Sequence, residues 1–205
     1  MGPPSKFPCI GNILPTCSKS KYFFFHEWNP VNSDNLHSNL LDLLVAFGGH
    51  ETLPHDVQPF VCRLTERIAI HGMDGVDSVW GMVRDTLISF PTTVTTNTVI
   101  AAYREQGSVM AKEVGMHRGE RPLGYHFKKC GNPSCPSQDR PGHIMGEVRS
   151  PHIYRIRCKA CKWKSGNVRV DDSNPYIRPL HETRAPLLFY HPFPSPAGLT
   201  NMFMA

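Results

Sequence analysis

Four cysteines in two close pairs constrain this 205-residue chain more than any other feature. They stand as Cys130-Gly131-Asn132-Pro133-Ser134-Cys135 and, after 22 intervening residues, Cys158-Lys159-Ala160-Cys161. Each pair suits a tight turn that points two thiolates the same way. Four thiolates then complete a tetrahedron at about 2.3 Å around a zinc ion, leaving no position open for water, so the expected site is structural. The first pair departs from the commonest two-residue spacing, and its Gly131-Asn132-Pro133 turn accommodates the difference. His126, His143 and His152 are substitute ligands in principle, but beside four well-placed cysteines each reads as a surface or packing residue. A thioredoxin-like redox pair is the weaker alternative, because Cys158-Lys159-Ala160-Cys161 lacks βαβ surroundings. A disulfide framework fits poorly with an odd total of seven cysteines, the chain length and the absence of a secretory leader.

Between and after the pairs, residues 144–149 and 152–157 form strand candidates joined at Ser150-Pro151, with a third over 167–170. Alternation places Tyr154 and Ile156 on one face and Ile153, Arg155 and Arg157 on the other. Cysteine pairs at these spacings flanking short strands resemble the zinc ribbon family, over roughly residues 124–172. A sheet this small has little core, so zinc held by Cys130, Cys135, Cys158 and Cys161 is expected to supply much of its folding energy.

Charge concentrates around the same cysteines. Residues 1–117 carry 8 Lys/Arg against 11 Asp/Glu, residues 118–184 carry 14 against 6, and the last 21 residues carry none. Lys128, Lys129, Arg149, Arg155, Arg157, Lys159, Lys162, Lys164 and Arg169 surround the expected scaffold, with Tyr154 and Trp163 among them. Clustered cations beside an aromatic ring can neutralise phosphates and stack a base, the footprint of a DNA or RNA surface. A protein-docking module and a solvated, solubilising face are the competing readings.

The N-terminal half reads as mostly helical. Helices are expected over 33–47, with Leu36, Leu40, Leu43, Leu44 and Phe47 on one face; over 57–70; from Asp74 or Asp77 to Phe90; and over about 97–114. The β-branched run at 92–98 allows a strand there. His50 and His55 are five apart with Pro54 between them, which rules out the helical His pair of a metalloprotease. Cys62 and His71 are the one imaginable nucleophile and base, and Cys62 reads instead as a packing residue in an apolar stripe. Cys9 and Cys17, without a second pair nearby, read as free thiols.

The expected fold class is therefore α+β: a leader (1–21), a mostly helical domain (22–115), a linker (116–123), the zinc ribbon (124–172) and a proline-rich tail (173–205). The expected protein is non-enzymatic and intracellular, since no apolar run approaches membrane-spanning length and no secretory segment is present. Its expected partners are DNA or RNA on the basic surface, or a protein engaging Tyr22–Trp28 or the C-terminal tail. Cys62 and His71 as a cysteine hydrolase form a third option.

Overall fold

The computed structural model describes residues 22–25, 42–48, 54–72, 79–95, 97–105, 108–118, 121–125, 127, 129–137, 143–150, 152–171, 173–181 and 187–204. The expected leader, with Cys9 and Cys17, lies outside them. In chain order the N-terminal half gives strands β1 (Tyr22–Phe25) and β2 (Leu43–Gly48), helices α1 (Pro54–His71) and α2 (Val79–Ser89), then strands β3 (Thr98–Glu105) and β4 (Ser108–Met116). The second half adds β5 (Ile144–Ser150), β6 (Ile153–Cys158), β7 (Val168–Arg169), β8 (Arg178–Pro179), β9 (Leu188–Pro192) and a short helix α3 (Ala197–Met204).

The expectation of a mostly helical N-terminal domain is overturned: the molecule is sheet-rich. Six strands form one sheet in the order β1-β2-β3-β4-β9-β8, with β1 and β2 parallel and the remaining neighbours antiparallel; β5-β6-β7 form a second, antiparallel sheet. Two of the four expected helices are present as α1 and α2. The other two give way to β2 and to the β3–β4 hairpin.

The physical reason is burial on both faces. Leu43, Val45 and Phe47 of β2, with Val99, Ala101 and Tyr103 of β3, pack under the helices. Leu44, Ala46, Ile100 and Ala102, from the same two strands, are buried on the opposite face. A strand covered on both sides shows a continuous apolar run instead of a two-residue alternation, and leucine-rich runs of that kind match a helical stripe equally well. The β-branched Thr98, Val99 and Ile100 favour the extended form.

α1 and α2 lie on one face of the large sheet. α1 contributes Phe60, Leu64 and Ile68, and α2 contributes Val79, Trp80, Met82, Val83 and Leu87. Each such side chain adds about 1.5–3 kcal/mol when fully buried. Lys112 of β4 sends its ammonium over this aromatic corner, 4.2 Å from the Trp80 ring centroid and 5.4 Å from that of Tyr190. Among the described residues no helix is long and apolar enough to cross a membrane.

β9 joins the two halves. It pairs with β4 from Lys112↔Pro192 to Met116↔Leu188, and its side chains alternate between two cores. Leu188 and Tyr190 face the helices. Phe189 faces the cysteine-bearing module and shares its core with Leu123, Phe127, Ile156, Ile177, Leu199 and Phe203. One side of α3 thus packs into this core, with Leu199 and Phe203 fully buried.

Of residues 116–123, expected as a linker, the described 116–118 and 121–123 lie at this junction. The His117 N–H donates to the Leu187 carbonyl at 2.6 Å, and its Nδ1 accepts the Leu123 N–H at 2.9 Å. The 3-10 turn Pro122–Gly124 then lies against β4 so closely that Gly115 and Gly124 meet backbone to backbone. Gly124 also has φ +71°, which an L side chain rarely adopts. A Cβ on either glycine would strike the other's main chain.

Candidate metal centre

The first cysteine pair lies on a turn that begins after Phe127, and the second follows directly from β6. Local hydrogen bonds explain why these sequences turn as they do. In the first, Asn132 is the pivot: its carbonyl accepts the Cys135 N–H at 3.0 Å, and its side-chain oxygen accepts the Ser134 N–H at 3.0 Å. In the second, the Trp163 carbonyl accepts the Cys158 N–H at 2.8 Å, and Lys162 takes a left-handed φ of +63° to close the turn. The His143 carbonyl, at the foot of β5, accepts the Lys159 N–H at 2.8 Å and ties the second turn to the sheet.

These turns bring four sulphurs together. All lie within 4.8 Å of one another, with Cys130 and Cys161 at 3.6 Å and Cys135 and Cys158 at 3.7 Å. A tetrahedron with bonds of about 2.3 Å has edges of about 3.8 Å. A disulfide needs about 2.05 Å, so the spacing is that of metal ligands and not of bonded sulphurs. Among the described residues the close group comprises the four cysteines alone; His143 and His152 do not belong to it, and His126 lies outside the described residues.

The backbone is also arranged to favour thiolates. Main-chain N–H groups two residues on donate to three of the sulphurs: Asn132 to Cys130, Ser137 to Cys135 and Trp163 to Cys161. Without a cation the sulphurs compete for protons. Burial pushes the Cys130 thiol up to about 12, whereas the Trp163 N–H brings Cys161 down to about 7. Four mutually close sulphurs, mostly buried, are satisfied together by one divalent cation. The donor set and its geometry fit a metal ion.

The module beneath the site is the β5-β6-β7 sheet. Its inner face carries Ile144, Tyr154, Ile156, Cys158 and Val168, all buried. Tyr154 is only 3% exposed, so it is a core residue and not an available stacking platform. Its ring packs edge-on against Phe189 and beside His117, with centroids at 5.5 and 5.6 Å. Trp163 is half-buried against the same core.

The ten residues expected on a nucleic-acid surface fall into distinct groups. Arg155 is engaged by Glu147, its cross-strand partner, through Nε at 3.2 Å and Nη2 at 2.6 Å. Arg157 reaches the same carboxylate at 3.3 Å, and Arg169 pairs with Asp171 at 2.8 Å. Bonding to Arg155 holds the Glu147 carboxyl below its usual range, and Ser173 together with Arg169 brings that of Asp171 to about 2. Lys129, Arg149, Lys159, Lys162 and Lys164 are exposed, and Trp163 has the position given above. Lys128 lies outside the described residues.

Cys62 and His71 do not form a pair. Both sit on α1, nine residues apart, which is about 13.5 Å along the axis. Cys62 is also exposed rather than packed in the apolar stripe.

Two histidines at the junction carry a signal that sequence reasoning missed. His191 of β9 is fully buried, edge-on to Tyr125 at 5.1 Å, with Nε2 3.7 Å from Glu113. Burial lowers its pKa, partly opposed by Glu113, and burial likewise lowers that of His117. The folded protein therefore resists a proton that the unfolded chain accepts near pH 6.5, so stability is level above that pH and falls below it. Urea midpoints should drop between about pH 6.5 and pH 5.5, with a shallower drop in His191→Leu. A parent stability that rises on acidification would contradict this assignment.

Comparison of the chain with protein-family profiles, curated proteins and solved structures finds no match.

Proposed function

We propose that the chain is a non-enzymatic zinc protein whose zinc ribbon, closed by Cys130, Cys135, Cys158 and Cys161, presents lysines to a nucleic-acid backbone. The observation that carries the metal reading is the set of four sulphurs at tetrahedral spacing. Zinc suits it best, because four thiolates with no open position form a structural site with no redox chemistry to perform.

The nucleic-acid reading rests on exposed cations beside that rigid site. Lys129 precedes the first turn, while Lys162 and Lys164 follow the second, all exposed. Arg155 and Arg157 share one carboxylate, so lysines carry the reading better than arginines. Cations held on a metal-fixed turn can follow phosphates without reading base edges, which favours backbone recognition over sequence recognition. Docking of a protein on the C-terminal tail has less support, because Phe189, Leu199 and Phe203 are already buried within the chain.

The test is fluorescence anisotropy of labelled single- and double-stranded DNA and RNA with the zinc-loaded protein. Three phosphate contacts to a duplex predict a loss of about 40-fold in affinity between 50 and 200 mM salt. The double variant Lys162→Ala/Lys164→Ala should flatten the salt slope by about two contacts, and Arg155→Gln should change it little. Absent or salt-insensitive binding by fully metallated protein refutes the reading.

A further inference from the structure

A cleft of about 400 Å³ opens on the side of the large sheet remote from the metal module's core, between α2 and the β8–β9 pair. We propose that it binds a planar aromatic ring carrying one anionic group, the chemistry of a nucleoside monophosphate.

The volume lies within the roughly 300–1,000 Å³ of small-molecule sites. Its walls separate into two kinds. Trp80 and Tyr190 meet at 5.1 Å and 61°; Trp80 and Leu180 are buried at its base, and the partly buried Tyr190 and Ile88 supply the apolar surface. Arg84 on α2 and Arg178 on β8 come from elements far apart in sequence and line the same space. An aromatic edge beside two guanidinium groups is the combination that takes a flat ring on one side and an oxyanion on the other.

The charge balance also favours an anion. Among the described residues lining the cleft Asp85 is the one carboxylate, and it is already bound by Arg84 at 2.9 Å and approached by Arg67 at 3.8 Å. Asp85 engages Arg84 through Nε and Nη2, and a guanidinium has five N–H donors. Arg178 directs Nε to the Asn174 carbonyl at 3.4 Å, a long bond that occupies one donor. Lys112, 4.2 Å over the Trp80 ring, adds positive potential nearby. A ligand bearing a cation would meet two arginines beside a carboxylate already bound by one of them, and a neutral apolar ligand would offer no acceptor to the guanidinium N–H groups that Asp85 and the Asn174 carbonyl do not take.

This site is independent of the lysines proposed for nucleic acid. The experiment is isothermal titration of the zinc-loaded 205-residue chain with adenosine monophosphate, adenosine and inorganic phosphate in parallel. The expected result is saturable binding of the monophosphate, about tenfold or more tighter than either fragment, weakened about tenfold by Arg178→Gln. Ile88→Trp, which fills the cleft, should abolish it while metal content and melting temperature stay at parent values. Lys162→Ala/Lys164→Ala should leave it unchanged, so loss of the ribbon's nucleic-acid binding and loss of this site are told apart. No saturation at millimolar monophosphate overturns the proposal. So does binding indifferent to Arg178→Gln, or equal affinity for inorganic phosphate alone.

Discussion

Cys158→Ser will purify without its metal and with the β5-β6-β7 sheet unfolded. The parent should carry one metal equivalent by elemental analysis, and the variant close to none. Cys158 is the best probe of the four because it is fully buried, ends β6 and is bound through its N–H to Trp163, so its sulphur cannot be replaced by a ligand from solvent. Structural zinc sites contribute about 10–16 kcal/mol of apparent binding energy near neutral pH, as much as the whole stability of a typical domain. Amide hydrogen exchange should show β5 and β6 losing protection in the variant and in chelator-treated parent alike. The loss should extend into the core formed by Tyr154, Phe189 and Phe203, since that core is continuous with the cysteines. Parent-like protection in a metal-free variant would remove the metal from any structural role.

Phe189→Ala should lower stability by about 3–5 kcal/mol, the cost of emptying a large aromatic site in a packed core. Its effect should appear in two places at once. Phe189 touches Tyr154 of the small sheet and lies beside His117, while its backbone pairs with Gly115 of β4 in the large one. Denaturation followed by near-ultraviolet circular dichroism should therefore show one transition moved to lower urea, with no separate early phase for the metal module. Leu187→Ala, two residues earlier and exposed, should leave the midpoint within about 0.5 kcal/mol of the parent. Two separated transitions in Phe189→Ala would mean that the two sheets are stabilised independently.

The parts of this molecule that were legible in its sequence are those whose cause is local. The cysteine turns need only the spacing of Cys130 to Cys135 and of Cys158 to Cys161, with Asn132 and Lys162 able to close them. The strands 144–150 and 153–158 bury one face, so Tyr154 and Ile156 alternate visibly with Arg155 and Arg157. The stripe Phe60, Leu64, Ile68 marks α1 for the same reason. What was not legible depends on partners far along the chain. Leu43 to Phe47 reads as a helix until β3 is known to lie beside it and both faces are seen to be covered. The run Leu187-Leu188-Phe189-Tyr190 sits among prolines and looks like an extended tail; only its pairing with β4 shows that it divides two cores. Whether Arg155 is available to a ligand was likewise hidden, because Glu147 becomes its neighbour only across the β5–β6 pair.

The order of strands carries a consequence for assembly. β4 ends at Met116 and its neighbour β9 begins at Leu188, so residues 117–187, including all four cysteines of the candidate metal centre, are inserted between two strands that must touch. Closing an unstructured loop of that length is entropically unfavourable, and shortening it threefold recovers about 1 kcal/mol. A cation that folds the insertion brings its two ends toward each other and lowers the barrier to adding β9. A metal held by those four cysteines would thus act as a topological clasp, coupling its capture to completion of a sheet that carries none of the four.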